Sequence, residues 1–95
     1  MRLRYTAPAL ADLSEILAYI AERSPAGAAG VQARIKAVTD LLLSYPRIGT
    51  PTEDPTIRRL IISPYHYLIF YEAADQEVII HAVRHGARDP SNPPA

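Results

Sequence analysis

The chain has 95 residues, no cysteine, and equal numbers of basic and acidic side chains, ten of each. A chain of this length forms one domain with a small core, and the lack of cysteine excludes disulfides and thiolate metal sites. Zero net charge excludes a global attraction to nucleic acid or membranes, and since neither a membrane span nor a signal peptide is visible, we expect a cytoplasmic protein.

The first half of the chain predicts a strand and a helical hairpin. Arginines alternate with apolar side chains over residues 2–5, as in a half-buried strand. Thr6 stands two residues before Pro8 and Ser24 stands directly before Pro25, as helix N-caps do, and apolar residues then recur at helical spacing as far as Ile20 and Tyr45. Because few residues separate the helices, we expect them to pack antiparallel.

The second half predicts a three-stranded antiparallel meander. Residues 50–56 form a polar segment without periodicity, which predicts a loop. Residues 57–62, 65–72 and 77–85 are rich in β-branched and aromatic side chains and are separated by turn residues. The predicted fold class is α+β, with the helices packed on one face of the sheet. We assign residues 1–90 to one domain and residues 91–95 to a flexible tail.

Both faces of the predicted meander strands are apolar. Leu68 and Phe70, for example, alternate with Tyr67, Ile69 and Tyr71. One helical hairpin covers one face of a small sheet, so we expect the other face to keep an apolar patch that binds a partner. The alternative is that sheet twist and the loop at residues 50–56 hide this patch.

Several polar side chains are candidates for binding or chemistry. Arg58 and Arg59 are adjacent, so they point to opposite faces of their strand, and one of them joins Arg2 and Arg4 on the uncovered face. His81 and His85 would lie about 13 Å apart on a strand, too far to share a metal ion, so we predict neither a metal site nor a cofactor. Metal-free phosphodiester cleavage needs a base, a cation and an acid. Residue types suited to those roles occur at Arg59, Tyr71, Arg84, His85 and Arg88, although their spacing is not diagnostic.

Three stretches of sequence resemble the RelE/ParE toxin superfamily, and its ParE-like branch in particular. They are Leu-Ser-Tyr-Pro-Arg-Ile-Gly at 43–49, Pro-Tyr-His-Tyr-Leu-Ile-Phe-Tyr at 64–71 and Val-Arg-His-Gly-Ala-Arg-Asp at 83–89. The resemblance implies the same strand, helical hairpin and meander, in the toxin of a type II toxin–antitoxin system. It also implies a ParD-like or similar cognate antitoxin whose C-terminal segment folds along the toxin, with operator DNA bound only through the antitoxin.

The branch determines the expected activity. ParE-like toxins are described as inhibiting DNA gyrase by binding, whereas RelE-like toxins cut messenger RNA on the ribosome. Residues 90–95 contain neither tyrosine nor lysine and the net charge is zero, which favours the ParE-like, non-enzymatic alternative. The other hypotheses are a metal-independent endoribonuclease using Tyr71, Arg84, His85 and Arg88, and a degenerate, non-toxic module that binds the antitoxin. The positions expected to bind the target or the antitoxin are Arg58, Arg59, Tyr67, Tyr71, Arg84, His85 and Arg88.

Overall fold

A computed structural model describes residues 1–86 of the chain and confirms the predicted α+β architecture, in which two helices pack on one face of a mixed sheet. The elements in chain order are β1 (Arg2–Tyr5), α1 (Ala7–Arg23), α2 (Pro25–Ser44), β2 (Thr50–Pro51), β3 (Arg58–Ile62), β4 (Tyr67–Ala73) and β5 (Glu77–His85). The predicted domain end at residue 90, the tail at residues 91–95 and Arg88 lie outside the described residues.

Both helices begin at the predicted capping residues. The Ala9 N–H donates to Thr6 Oγ1 at 3.2 Å, and the Gly27 N–H donates to Ser24 Oγ at 3.0 Å. Each hydroxyl thereby accepts an amide that has no partner within its helix. Ser24 both ends α1 and caps α2, so the hairpin turns within a single residue.

The sheet has the strand order β1-β5-β4-β3-β2. β3, β4 and β5 form the predicted antiparallel meander, and β1 adds to β5 in parallel. The prediction of an unstructured loop over residues 50–56 is wrong at its start, because Thr50 and Pro51 pair with β3 as a two-residue edge strand. An edge strand this short carries too little pattern to be seen in a sequence.

The core on the helix side of the sheet is built by α2 and the three central strands. β5 contains a bulge, since Phe70 pairs with Ala82 and Tyr71 with Ile80, which leaves His81 as the extra residue. The bulge keeps both Ile80 and Val83 on the helix side. The buried side chains of this core include Val31, Ile35, Val38 and Leu42 of α2 with Ile69, Tyr71, Val78, Ile80 and Val83 of the sheet.

The sheet face opposite the helices, called the rear face here, differs from the prediction of an open apolar patch. Leu68, Phe70 and Ala82 are buried there, at 5%, 1% and 2% exposure. They cluster with Ile57, which the loop after β2 brings onto this face. The loop alternative is thus the better one, and the prediction of an exposed apolar face is wrong because it counted only regular elements as cover. Ile61, at 59% exposure, is the large apolar exception among residues 1–86 on this face.

Among residues 1–86, neither helix has the length and hydropathy required to cross a bilayer.

Candidate functional site

The candidate residues are divided between the two faces of the sheet. Strand pairing sets the division: Arg58 lies opposite Tyr71, and Tyr67 lies opposite His85, all on the helix side. Arg59 lies opposite Phe70, and Arg84 opposite Leu68, so both point to the rear face. The structure therefore separates Arg58 and Tyr71 from Tyr67, Arg84 and His85, and the last three line one cleft.

Tyr71 and Arg58 hold the segment that joins α2 to β3. The Tyr71 hydroxyl is buried and accepts the Gly49 N–H at 2.9 Å. The Arg58 guanidinium donates to the Gly49 carbonyl at 2.8 Å and to the Arg47 carbonyl at 3.2 Å. Burial raises the pKa of Tyr71, against smaller lowering effects of the Gly49 N–H and the Arg58 charge. In this conformation the two side chains have a structural role, because they fix the segment between α2 and β3.

Tyr67 and His85 line a cleft between α1 and the ends of β4 and β5. The two rings meet edge to face, with centroids 5.2 Å apart. The cleft has a volume of about 530 Å³, and its other wall is formed by α1. The residues lining it, called the α1 cleft below, are Asp12, Glu15, Ile16, Tyr19, Tyr67, Val83, Arg84 and His85.

The α1 wall of the cleft was missed by the sequence analysis. Asp12, Glu15 and Tyr19 follow one another at intervals of three and four residues, so they share a face of α1 beside the apolar stripe. The Asp12 carboxylate accepts the Val83 N–H at 3.1 Å and so ties α1 to β5. A carboxylate stripe on a helix indicates only a solvated face unless the tertiary structure is known.

The rear face carries charges of both signs. Strand alternation places Arg2 and Arg4 there with Arg59 and Arg84, as predicted. Acidic residues lie among them: Arg4 Nε donates to Glu77 Oε1 at 3.0 Å, and His81 Nε2 lies 3.0 Å from Glu72 Oε1. The rear face is therefore a mixed-charge surface and not a purely basic groove.

No group of three or more potential metal-ligating side chains occurs within residues 1–86.

A sequence profile described as the ParE toxin of the type II toxin–antitoxin system parDE matches residues 3–90. The chain belongs to the ParE toxin family. It is 40% identical over 84 residues to toxin RelE2 of Caulobacter vibrioides, which covers 88% of this chain and 93% of that protein. It is 39% identical over 84 residues to Y4kP of Sinorhizobium fredii, covering 88% and 86% of the two chains.

The fold of this ParE family member agrees with a solved relative. A chain from the chromosomal ParDE toxin–antitoxin system of P. aeruginosa superposes with a TM-score of 0.76, covering 90% of this chain and 95% of that one. The sequence identity is 23%, so the superposition is evidence for the fold alone. The predicted RelE/ParE membership is thus confirmed. The relatives carry both ParE and RelE names.

Proposed function

We propose that this ParE family toxin inhibits DNA gyrase by binding and does not cleave RNA. The proposal joins family membership to the placement of the side chains that a metal-free nuclease would need. A cognate antitoxin is the second proposed partner, supported by the toxin–antitoxin family to which the chain belongs.

The separation of the candidate nuclease residues carries the proposal. A metal-free nuclease holds its base, acid and cation around one phosphate. Here the Tyr71 hydroxyl is buried and accepts the Gly49 N–H, whereas Arg84 and His85 line the α1 cleft, so the candidate base is separated from the candidate cation and acid. A tyrosine whose pKa is raised by burial is also a poor general base. The described candidates therefore suit binding better than concerted proton transfer.

Purified gyrase and induced cells provide the test. We expect the full chain to inhibit ATP-dependent supercoiling of relaxed plasmid and, after induction without antitoxin, to switch on DNA-damage signalling. Messenger RNA isolated from the same cells should show no new 5′ ends at codon-defined positions. Coexpression of the antitoxin should abolish the DNA-damage signal.

The same experiment distinguishes gyrase inhibition from the two alternative functions. Codon-positioned cuts that disappear in a His85→Ala variant would establish a ribosome-dependent endoribonuclease, an alternative to which the relative named RelE2 gives weight. Unimpaired growth, with soluble folded toxin confirmed, would instead indicate a non-toxic module that retains antitoxin binding.

A further inference from the structure

One row of side chains along α2 is apolar and exposed. Residues at intervals of four form a ridge on the surface of a helix, inclined to its axis. The exposed apolar ridge of α2, called the α2 ridge here, consists of Ala29, Ala33, Ala37, Leu41 and, at the C-cap, Tyr45. Leu41 is 46% and Tyr45 60% exposed, although both are large apolar side chains. A continuous exposed apolar row of this kind marks a contact surface.

The α2 ridge is small at one end and large at the other. Its first three side chains are alanines, and Leu41 and Tyr45 follow them. Two ridges of this type pack together when their helices cross at about −50°, with axes about 8–10 Å apart. If two copies cross antiparallel about a two-fold axis at Ala37, residues equally distant from Ala37 meet, so Leu41 lies against Ala33 of the second copy. The large end of each ridge then packs on the small end of the other.

A groove lies beside the small end of the α2 ridge. It has a volume of about 520 Å³ and is bounded by β1, α1 and α2. Its apolar walls include Leu3, Leu13, Ala29 and Ala33. The two-fold arrangement places Tyr45 of the second copy against Ala29, where this groove opens. Its aromatic ring, exposed in a single chain, would be covered there.

The charges of α2 fit the same arrangement. Lys36 and Asp40 are exposed on the row next to the ridge and pair with each other at 3.1 Å. A crossing at Ala37 brings Lys36 of each copy near Asp40 of the other, so four charges of alternating sign meet beside the ridge. Arg34, the third charged residue of α2, donates to the Ser63 carbonyl at 2.9 Å, which holds its guanidinium at the turn between β3 and β4.

We infer that the α2 ridge forms a two-fold symmetric contact between two copies of this chain. A second copy fits the ridge because the ridge complements itself in both size and charge, as an isologous interface requires. The contact consists of one helix pair and the adjoining groove and is therefore small, so we expect a dissociation constant of about 10–100 µM. It uses neither the α1 cleft nor the rear face, and it is independent of the gyrase target.

Sedimentation equilibrium of the full-length chain between about 1 µM and 1 mM tests the contact. We expect a monomer–dimer equilibrium in which Ala37→Arg, with a long charged side chain at the crossing point, raises the dissociation constant at least about tenfold. Ala18→Arg is the matched control, because Ala18 is an exposed alanine of α1 outside the ridge and the groove, and it should change nothing. A chain that stays monomeric at about 1 mM, or a dimer that tolerates Ala37→Arg, would overturn the proposal.

A mixing experiment tests the charge pairing between copies. Lys36→Glu leaves two acidic residues beside the ridge, and Asp40→Lys leaves two basic ones, so each variant alone should dimerise more weakly than the parent. An equimolar mixture pairs acidic with basic copies and should dimerise at least about fivefold more tightly than either variant alone. A pairing confined to one chain predicts no gain on mixing, and that result would contradict the two-fold contact at Ala37.

Discussion

The buried hydroxyl of Tyr71 joins the loop after α2 to the centre of the sheet. It accepts the Gly49 N–H at 2.9 Å, so Tyr71→Phe leaves that buried amide without its partner. We expect a loss of about 1–3 kcal/mol in the free energy of unfolding, measured by urea denaturation. Tyr45→Phe is the control, because Tyr45 is 60% exposed and should tolerate the same change. Equal stabilities of the two variants would show that the Gly49 bond contributes nothing.

The same phenol makes stability depend on alkaline pH. Burial raises the pKa of Tyr71 in the folded protein, whereas in the unfolded chain it titrates near about 10. Between the two pKa values the folded state keeps a proton that the unfolded state has lost, so the free energy of unfolding falls as pH rises. This contribution is constant below about pH 10 and is lost above it.

Urea titrations between about pH 8 and pH 11 measure this dependence. Tyr71→Phe should make the alkaline decline shallower. Burial also raises the pKa of Tyr5, so a variant with both tyrosines changed to phenylalanine should decline least. A decline of equal slope in all three proteins would rule out these phenols as its source.

At the scale of the elements, the start of α1 depends on Thr6. Its hydroxyl accepts the Ala9 N–H at 3.2 Å and lies 3.4 Å from the His81 carbonyl, beside the bulge in β5. Thr6→Ala removes both contacts and should destabilise the protein by about 1–2 kcal/mol in chemical denaturation. Thr6→Ser retains the hydroxyl and should lose less than half of that amount. If serine and alanine are equally destabilising, the methyl group and not the cap supports the helix.

Local signals made most elements predictable from the sequence. Thr6 and Ser24 predict the starts of their helices because a cap is encoded within a few residues. The β-branched and aromatic residues of β4 and β5, bounded by turn residues, are enough to place both strands. The bulge at His81 and the parallel pairing of β1 depend on contacts between distant residues, which a local pattern does not contain.

The candidate site was less predictable for the same reason. Alternation assigns Tyr71 to a sheet face, but only the path of the loop at Gly49 decides that its hydroxyl is buried. Asp12 and Glu15 look like a solvated helix face until β5 is placed against α1. Whether the predicted residues bind a target stays a prediction.

At the scale of the whole molecule, exposed apolar side chains lie mainly on the helices and the loop after them. Loop residue Ile57 closes over the rear-face cluster, whereas Leu10 and Tyr19 of α1 and Leu41 of α2 are about half exposed. We therefore expect a partner to bind the exposed apolar side chains of the helix side, where the α1 cleft lies, and not the apolar cluster of the rear face. The rear face carries charged residues and the exposed Ile61, and we propose that it contacts the target.

A substitution at Arg59, on the rear face, tests the proposed contact with gyrase. Its neighbour Ile61 is exposed on the same face, and an arginine beside an exposed apolar side chain is typical of an interface centre. Arg59→Gln should raise the concentration needed for half-maximal inhibition of supercoiling about tenfold, equivalent to roughly 1.4 kcal/mol of binding free energy.

Arg23→Gln removes the same charge from the far end of α1 and should leave inhibition of supercoiling unchanged. Urea midpoints of both variants separate loss of binding from loss of fold. If Arg59→Gln inhibits supercoiling as well as the parent while Arg23→Gln does not, the gyrase contact lies on the helix side.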